Sequence, residues 1–226
     1  MLKGAVLKVN ELTREQINSM YSIMEVYYDN IYQNTFIEEL NKKQDVVLLL
    51  DEQNNICGFT TLAVFRYDEQ TQLLYSGDTI VEKQYWGQHD LSQAWINNAM
   101  AYTEKFDGKT YWFLLSKGYK TYKYLSTFFI EYYPCVDTQI PARIQQIMDN
   151  FSQQQYGDRY RDGVWLAGKD YLKCEYDYIH EAARRDKNTA FFLEKNPGYM
   201  KGDELICLCE ISPNNLNKLG RRVLGR

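Results

Sequence analysis

The chain has little of what metal sites and disulfide frameworks need. Its 226 residues hold two histidines, His89 and His180, and five cysteines, Cys57, Cys135, Cys174, Cys207 and Cys209, an odd number without framework spacing. Cys207 and Cys209 alternate within the apolar run LICLCEI and share one strand face, so the cysteines read as buried thiols and no metal is expected. Cys135 has no identifiable histidine to orient it as a nucleophile. A surplus of positive charge is missing as well. With 26 Lys and Arg against 30 Asp and Glu, the net charge is −4, whereas a nucleic-acid binder needs basic residues to displace counterions from phosphates. No apolar run approaches the roughly 18 residues of a spanning helix. The first ten residues, MLKGAVLKVN, lack the apolar core and cleavage site of a signal peptide, so a cytoplasmic location without a membrane span is expected.

What is present is a 45% apolar chain, enough for one large domain or a smaller core with a substantial insertion. Residues 5–9 alternate weakly as a short strand. TREQ at 13–16 is a capping box, followed by Ile17, Met20, Met24, Tyr27 and Ile31 at helical spacing, with a break near residues 29–30. Residues 46–81 read as three strands in an antiparallel meander, with polar connections at 51–55 and 68–71. After the turn QYWGQH, Asp90 and Gln93 are expected to cap a helix that buries Leu91, Ala94, Trp95 and Tyr102. A strand TYWFLLS follows, then a helix ending by Pro134.

The texture changes after residue 135. A helix with Pro141 near its first turn turns Ile144, Ile147, Met148 and Phe151 inward. The polar stretch SQQQYGDRYRDG, residues 152–163, reads as a mobile loop, and residues 170–186 as a further helix with His180 on a solvated face. TAFFLEK and ELICLCEI read as two closing strands, and the basic tail NKLGRRVLGR as frayed.

The turn Gln84-Tyr85-Trp86-Gly87-Gln88-His89, placed after a three-strand meander and before a helix, resembles the GNAT superfamily of N-acyltransferases. There, Arg or Gln, two residues, Gly, one residue, and Gly or Ala hold the CoA pyrophosphate at a helix start. The physics is general: a helix start offers unpaired amides and the positive dipole end, and glycine lets the backbone approach closely. His89 departs from the family pattern. The family also carries Asn-x-x-Ala-x-x-x-Tyr at the helix after the next strand, its tyrosine protonating the departing thiolate. The same interval counted from Lys117 reaches Tyr124, with Tyr122 as a rival and without the Asn and Ala.

The resemblance implies an α+β fold, a mixed and largely antiparallel sheet flanked by helices. An acyl-CoA-binding core would span residues 1–135, a helical and loop insertion 136–188, and a closing strand pair with a basic tail 189–226. It implies an acyl-CoA-dependent N-acyltransferase using acetyl-CoA or a longer acyl-CoA. The acceptor would be an amine, a small molecule or a peptide, attacking directly in a ternary complex, with a homodimer among the allowed states. The implied donor residues are Thr79, Val81, Gln84, Trp86, Gly87, Gln88, His89 and Lys117. Asp78 is the preferred general base, Glu82 the alternative, and Tyr124 the acid. The insertion is the expected source of acceptor specificity. The alternative reading, prompted by His89 after Gln88, is a GNAT-like binding module without catalysis. Trp86, Trp95 and Trp112 read as core or pocket wall.

Overall fold

Runs such as VVLLL and YWFLL are continuously apolar rather than alternating, the pattern of strands covered on both faces. The computed structural model describes residues 2–176, 179 and 181–225. The first half holds β1 (Lys3–Lys8), α1 (Arg14–Tyr27), β2 (Tyr28–Asp29), α2 (Gln33–Leu40), β3 (Asp45–Leu50), β4 (Ile56–Asp68), β5 (Thr71–Val81) and α3 (Asp90–Glu104). Then come β6 (Lys109–Ser116), α4 (Tyr119–Phe128), α5 (Ala142–Tyr156), β7 (Tyr160–Arg161), β8 (Val164–Trp165) and β9 (Tyr171–Leu172). The chain closes with α6 (Glu181–Arg184), α7 (Lys187–Lys195), β10 (Glu204–Glu210) and α8 (Lys218–Val223).

Eight strands form one sheet in the order β1-β3-β4-β5-β6-β10-β8-β7, antiparallel except for the parallel pair β5 and β6. The fold is α+β, as expected. On one face Val47, Leu74, Trp112 and Cys207 pack under residues of α3, α4, α7 and α8. The other face is divided. Val46, Leu48 and Phe59 lie under α1 and α2, whereas Phe113, Ile206 and Leu208 lie under α5. The division leaves room on that face between α1–α2 and α5.

The capping box forms as read: Thr13 Oγ1 accepts from the Gln16 amide at 3.2 Å, and Gln16 Oε1 accepts from the Thr13 amide at 2.9 Å. Other expectations are corrected. His89, not Asp90, is the N-cap of α3, and it makes no side-chain cap bond. TAFFLEK is helical, within α7. The Asp186 carboxylate accepts from the Thr189 amide at 3.0 Å, and Thr189 and Phe192, three apart, are both fully buried. One closing strand, β10, therefore stands where two were expected. Residues 152–163 are not a loop: 152–156 end α5, and the rest enters the β7–β8 hairpin paired to β10. The expected helix over 170–186 begins instead as β9, paired with β2, and is helical at Glu181–Arg184; His180 lies outside the described residues. Within the basic tail, Lys218–Val223 form α8 rather than an irregular end. Asn217 caps α8, and Gly220 sits so close to α4 that an added Cβ would lie 2.3 Å from the Phe128 carbonyl.

A buried carboxylate ties β1, β3 and α3 together. Asp45, 1% exposed, accepts from Lys8 Nζ at 2.6 Å, Tyr102 Oη at 2.8 Å and Asn98 Nδ2 at 3.0 Å. Burial alone would raise its carboxyl, but the Lys8, Asn98 and Tyr102 donors outweigh that and hold it below the ordinary value. The stabilisation is therefore complete above the ordinary carboxylate range and is lost as pH falls through the lower folded value. Lys8 is 55% exposed, so solvent screens its share. Asp45→Ala is expected to cost about 2–3 kcal/mol at neutral pH, chiefly by stranding the Asn98 and Tyr102 donors. Urea unfolding at pH 7 and at pH 3 checks this, since the difference between variant and wild type should shrink in acid.

Candidate active site

The pairing of β5 with β6 ends at Ser76 and Leu114, although β5 runs on to Val81 beside β4. Across that last stretch the register passes from Thr61–Gly77 to Phe59–Ile80, so Asp78 and Thr79 both stand opposite Thr60. This is a β-bulge, and Asp78 takes φ of 29° within it. Bulges bend a strand and re-aim a side chain. Here the bend parts two neighbouring strands and leaves a gap in the middle of the sheet.

Two cavities meet at the gap. The first, 270 Å³, is lined by Thr79, Val81, Trp86, Gly87, Gln88, Lys117 and Tyr124 among others, seven of the eleven site residues the sequence nominated. The second, 240 Å³, lies on the divided face and is lined by Glu39, Lys43, Tyr75, Asp78, Tyr156, Asp170 and Glu204 among others. Tyr28, Thr79, Lys117 and Thr121 line both. A shallow apolar recess of 30 Å³ between Trp95, Trp112 and Tyr124 adjoins the first.

The first cavity ends at the turn before α3. Trp86 Nε1 donates to the Val81 carbonyl at 2.8 Å, and the Lys83 amide donates to Tyr27 Oη at 2.6 Å, so the turn is braced from two sides. Gly87 has φ of +88°, and a Cβ built there meets nothing within 4 Å. With no side-chain cap, the first-turn amides of α3 remain for an anion. His89 is exposed, and its ring lies nearly perpendicular to that of Phe128 with centroids 5.6 Å apart.

Tyr124 projects from α4 beside the gap, half-buried and stacked on Phe128 at 6.1 Å. Burial raises its phenol above the ordinary value, so it keeps its proton at neutral pH. Tyr122 is fully buried and donates to the Pro134 carbonyl at 2.9 Å, which leaves it no part in the gap. Glu82, Gln84 and His89 lie outside the described walls of both cavities, and Glu82 accepts from Gln84 Nε2 at 3.1 Å.

Charges crowd the second cavity. Lys117, which lines both cavities, pairs with Asp170 and, at 3.6 Å, with Glu204 of this one. Lys169 pairs with Glu39 at 2.6 Å. Burial raises the Asp78 carboxyl, partly offset by the Lys43 charge. Burial also lifts Glu204 to about 7 against the pull of Lys117. Lys43, Asp170, Tyr156 and Glu204 were not singled out by sequence reading. They arrive from four separate segments, and the one local hint is Glu204 preceding the apolar run at 205–209.

No protein-family model and no curated protein matches the chain. Solved structures similar to it include one from Enterococcus faecalis described as a "probable N-acyltransferase", at 17% identity and TM-score 0.42 over 57% of this chain and 33% of that one. The chain thus spans about a third of that protein's length. Another is an aminoglycoside acetyltransferase from an uncultured soil metagenomic sample in complex with sisomicin, at 21% identity and TM-score 0.42 over 62% and 92%. A third is a GNAT family N-acetyltransferase from Escherichia coli in complex with CoA, at 11% identity and TM-score 0.38 over 52% and 64%. No helix among the described residues is long and apolar enough to cross a membrane.

Proposed function

We propose that the chain is a divergent GNAT-like N-acyltransferase that carries an acyl group from CoA to an amine in a ternary complex. The observation that carries this reading is the parting of β5 and β6 past Ser76, where two cavities meet and share Tyr28, Thr79, Lys117 and Thr121. A donor entering from one side and an acceptor from the other would place thioester and amine together at Thr79 and Lys117, which is catalysis by approximation.

The donor cavity fits CoA on its own chemistry: uncapped first-turn amides and the open space at Gly87 suit a diphosphate. In the reaction, the amine nitrogen forms a bond to the thioester carbonyl carbon as the carbon–sulfur bond breaks. Asp78 takes the proton that the nitrogen sheds, directly or through water, and Tyr124 gives one to the departing sulfur. The apolar recess between Trp95, Trp112 and Tyr124 adjoins the donor cavity and would take the acyl chain, acetyl or longer, beside Tyr124. The noncatalytic alternative drew on His89, which is not among the residues lining the donor cavity and whose ring lies 5.6 Å from that of Phe128.

Calorimetric titration of the purified chain with acetyl-CoA tests the donor assignment. Gly87→Val places a branched side chain in the space assigned to the diphosphate, at a φ that disfavours it by about 1–3 kcal/mol. Donor affinity is expected to fall at least about tenfold, a loss of about 1.4 kcal/mol, with the circular dichroism spectrum retained. Equal affinity in a folded variant would remove the turn from the donor site.

A further inference from the structure

Four lysines and four acids line the second cavity, and most of them are already matched. Lys117 is held by Asp170 and Glu204, and Lys169 by Glu39. Lys42 is exposed at the rim. Two charges of opposite sign remain. Asp78 and Lys43 make no ion pair within 4.0 Å among the described residues, although both face the same space. The Lys43 ammonium is held 4.0 Å from the Tyr75 ring centroid and lies beside Gly77, the neighbour of Asp78. The two charges thus stand close together but not in contact.

A half-buried carboxylate and a half-buried ammonium left apart in one cavity are each poorly compensated, and a ligand with the reverse pair of charges would satisfy both. A simple amine would answer Asp78 and leave Lys43 facing its own positive charge. A di- or polyamine would add repulsion. Resting on the acyltransferase reading, we infer that the acceptor is a zwitterion, an amino acid with a free carboxylate, whose ammonium docks at Asp78 and whose carboxylate meets Lys43. The amine is then presented at the strand gap, and the aromatic walls at Phe65, Tyr75 and Trp165 are left for an apolar side chain.

The test compares the standard amino acids with their carboxamides and decarboxylated amines, using acetyl-CoA and thiol release as the readout. At least one amino acid is expected to exceed its own amide by about tenfold or more in kcat/KM, the usual scale of a hydrogen bond to a charged group. The comparison is conservative, because the less basic amine of an amide is more deprotonated at neutral pH and would react faster on chemistry alone. Lys43→Met, which keeps much of the stem and removes the charge, should bring that ratio to one or below. The ratio is internal to each preparation, so partial unfolding does not distort it. Amides equal to or better than every parent amino acid, or a ratio unmoved by Lys43→Met, overturns the inference while leaving acyl transfer standing. Calorimetry of amino acid and amide on donor-free protein separates the two readings: failure of acetyl-CoA to bind removes the acyltransferase, whereas equal binding of acid and amide removes the zwitterion.

Discussion

Tyr124→Phe is expected to slow acyl transfer at saturating substrates about a hundredfold, with acetyl-CoA affinity changed by less than about twofold. Phenylalanine keeps the ring and its stacking on Phe128, so the wall of the donor cavity stays in place and the phenolic proton alone is lost. The effect belongs at the low end of acid catalysis. A thiolate, with an ordinary thiol pKa near about 8.5, leaves without full protonation more readily than an alkoxide would. Tyr122→Phe is the control. Its hydroxyl is committed to the Pro134 carbonyl, so that variant should lose about 1–2 kcal/mol of stability and keep its turnover. Presteady-state thiol release with both variants reads the step directly. A hundredfold loss in Tyr122→Phe with none in Tyr124→Phe would shift the acid to the other residue.

Tyr124 was nominated by its resemblance to a family pattern counted from Lys117, and the fold places it on the wall of the first cavity while Tyr122 is buried. The Thr13–Gln16 capping box and the β3–β5 meander were legible because three-residue reach and strand-length apolar runs are written in adjacent residues. TAFFLEK misled because its paired phenylalanines suit a strand, while the signal that decides it, Asp186 as a cap, precedes the window. The β7 and β8 strands are two residues each, too short for any alternation to show, and exist because β10 offers an edge. The second cavity was illegible for a different reason. Lys43 follows α2, Asp78 sits in β5, Tyr156 ends α5, Asp170 precedes β9 and Glu204 opens β10, so only the closed sheet brings them together. The bulge at Asp78, which parts the strands, leaves no mark in SGDTIV beyond a glycine.

Asp78→Asn should lower kcat/KM by about a hundredfold to a thousandfold near neutral pH. Asparagine tolerates positive φ, so the bulge that aims residue 78 should persist and the loss should come from the missing charge. In the wild type, the group must be ionised to accept a proton, so kcat/KM falls as pH drops through its pKa. Burial raises that value and Lys43 pulls it back, which puts the acidic limb above the ordinary carboxylate value of about 4. The deficit of Asp78→Asn should narrow as pH rises toward the pKa of the amine, because an acceptor that arrives neutral needs less help in shedding a proton. Glu204 is the competing proton acceptor, lifted to about 7 and buried beside Lys117 at 3.6 Å. Its ion pair with Lys117 and its place on β10, beyond Lys117 from the gap, suit positioning better than proton transfer to an amine at Thr79. Glu204→Gln should accordingly keep the acidic limb and most of kcat. If Glu204→Gln loses that limb while Asp78→Asn retains it, the base is Glu204, and Asp78 serves only to dock the acceptor.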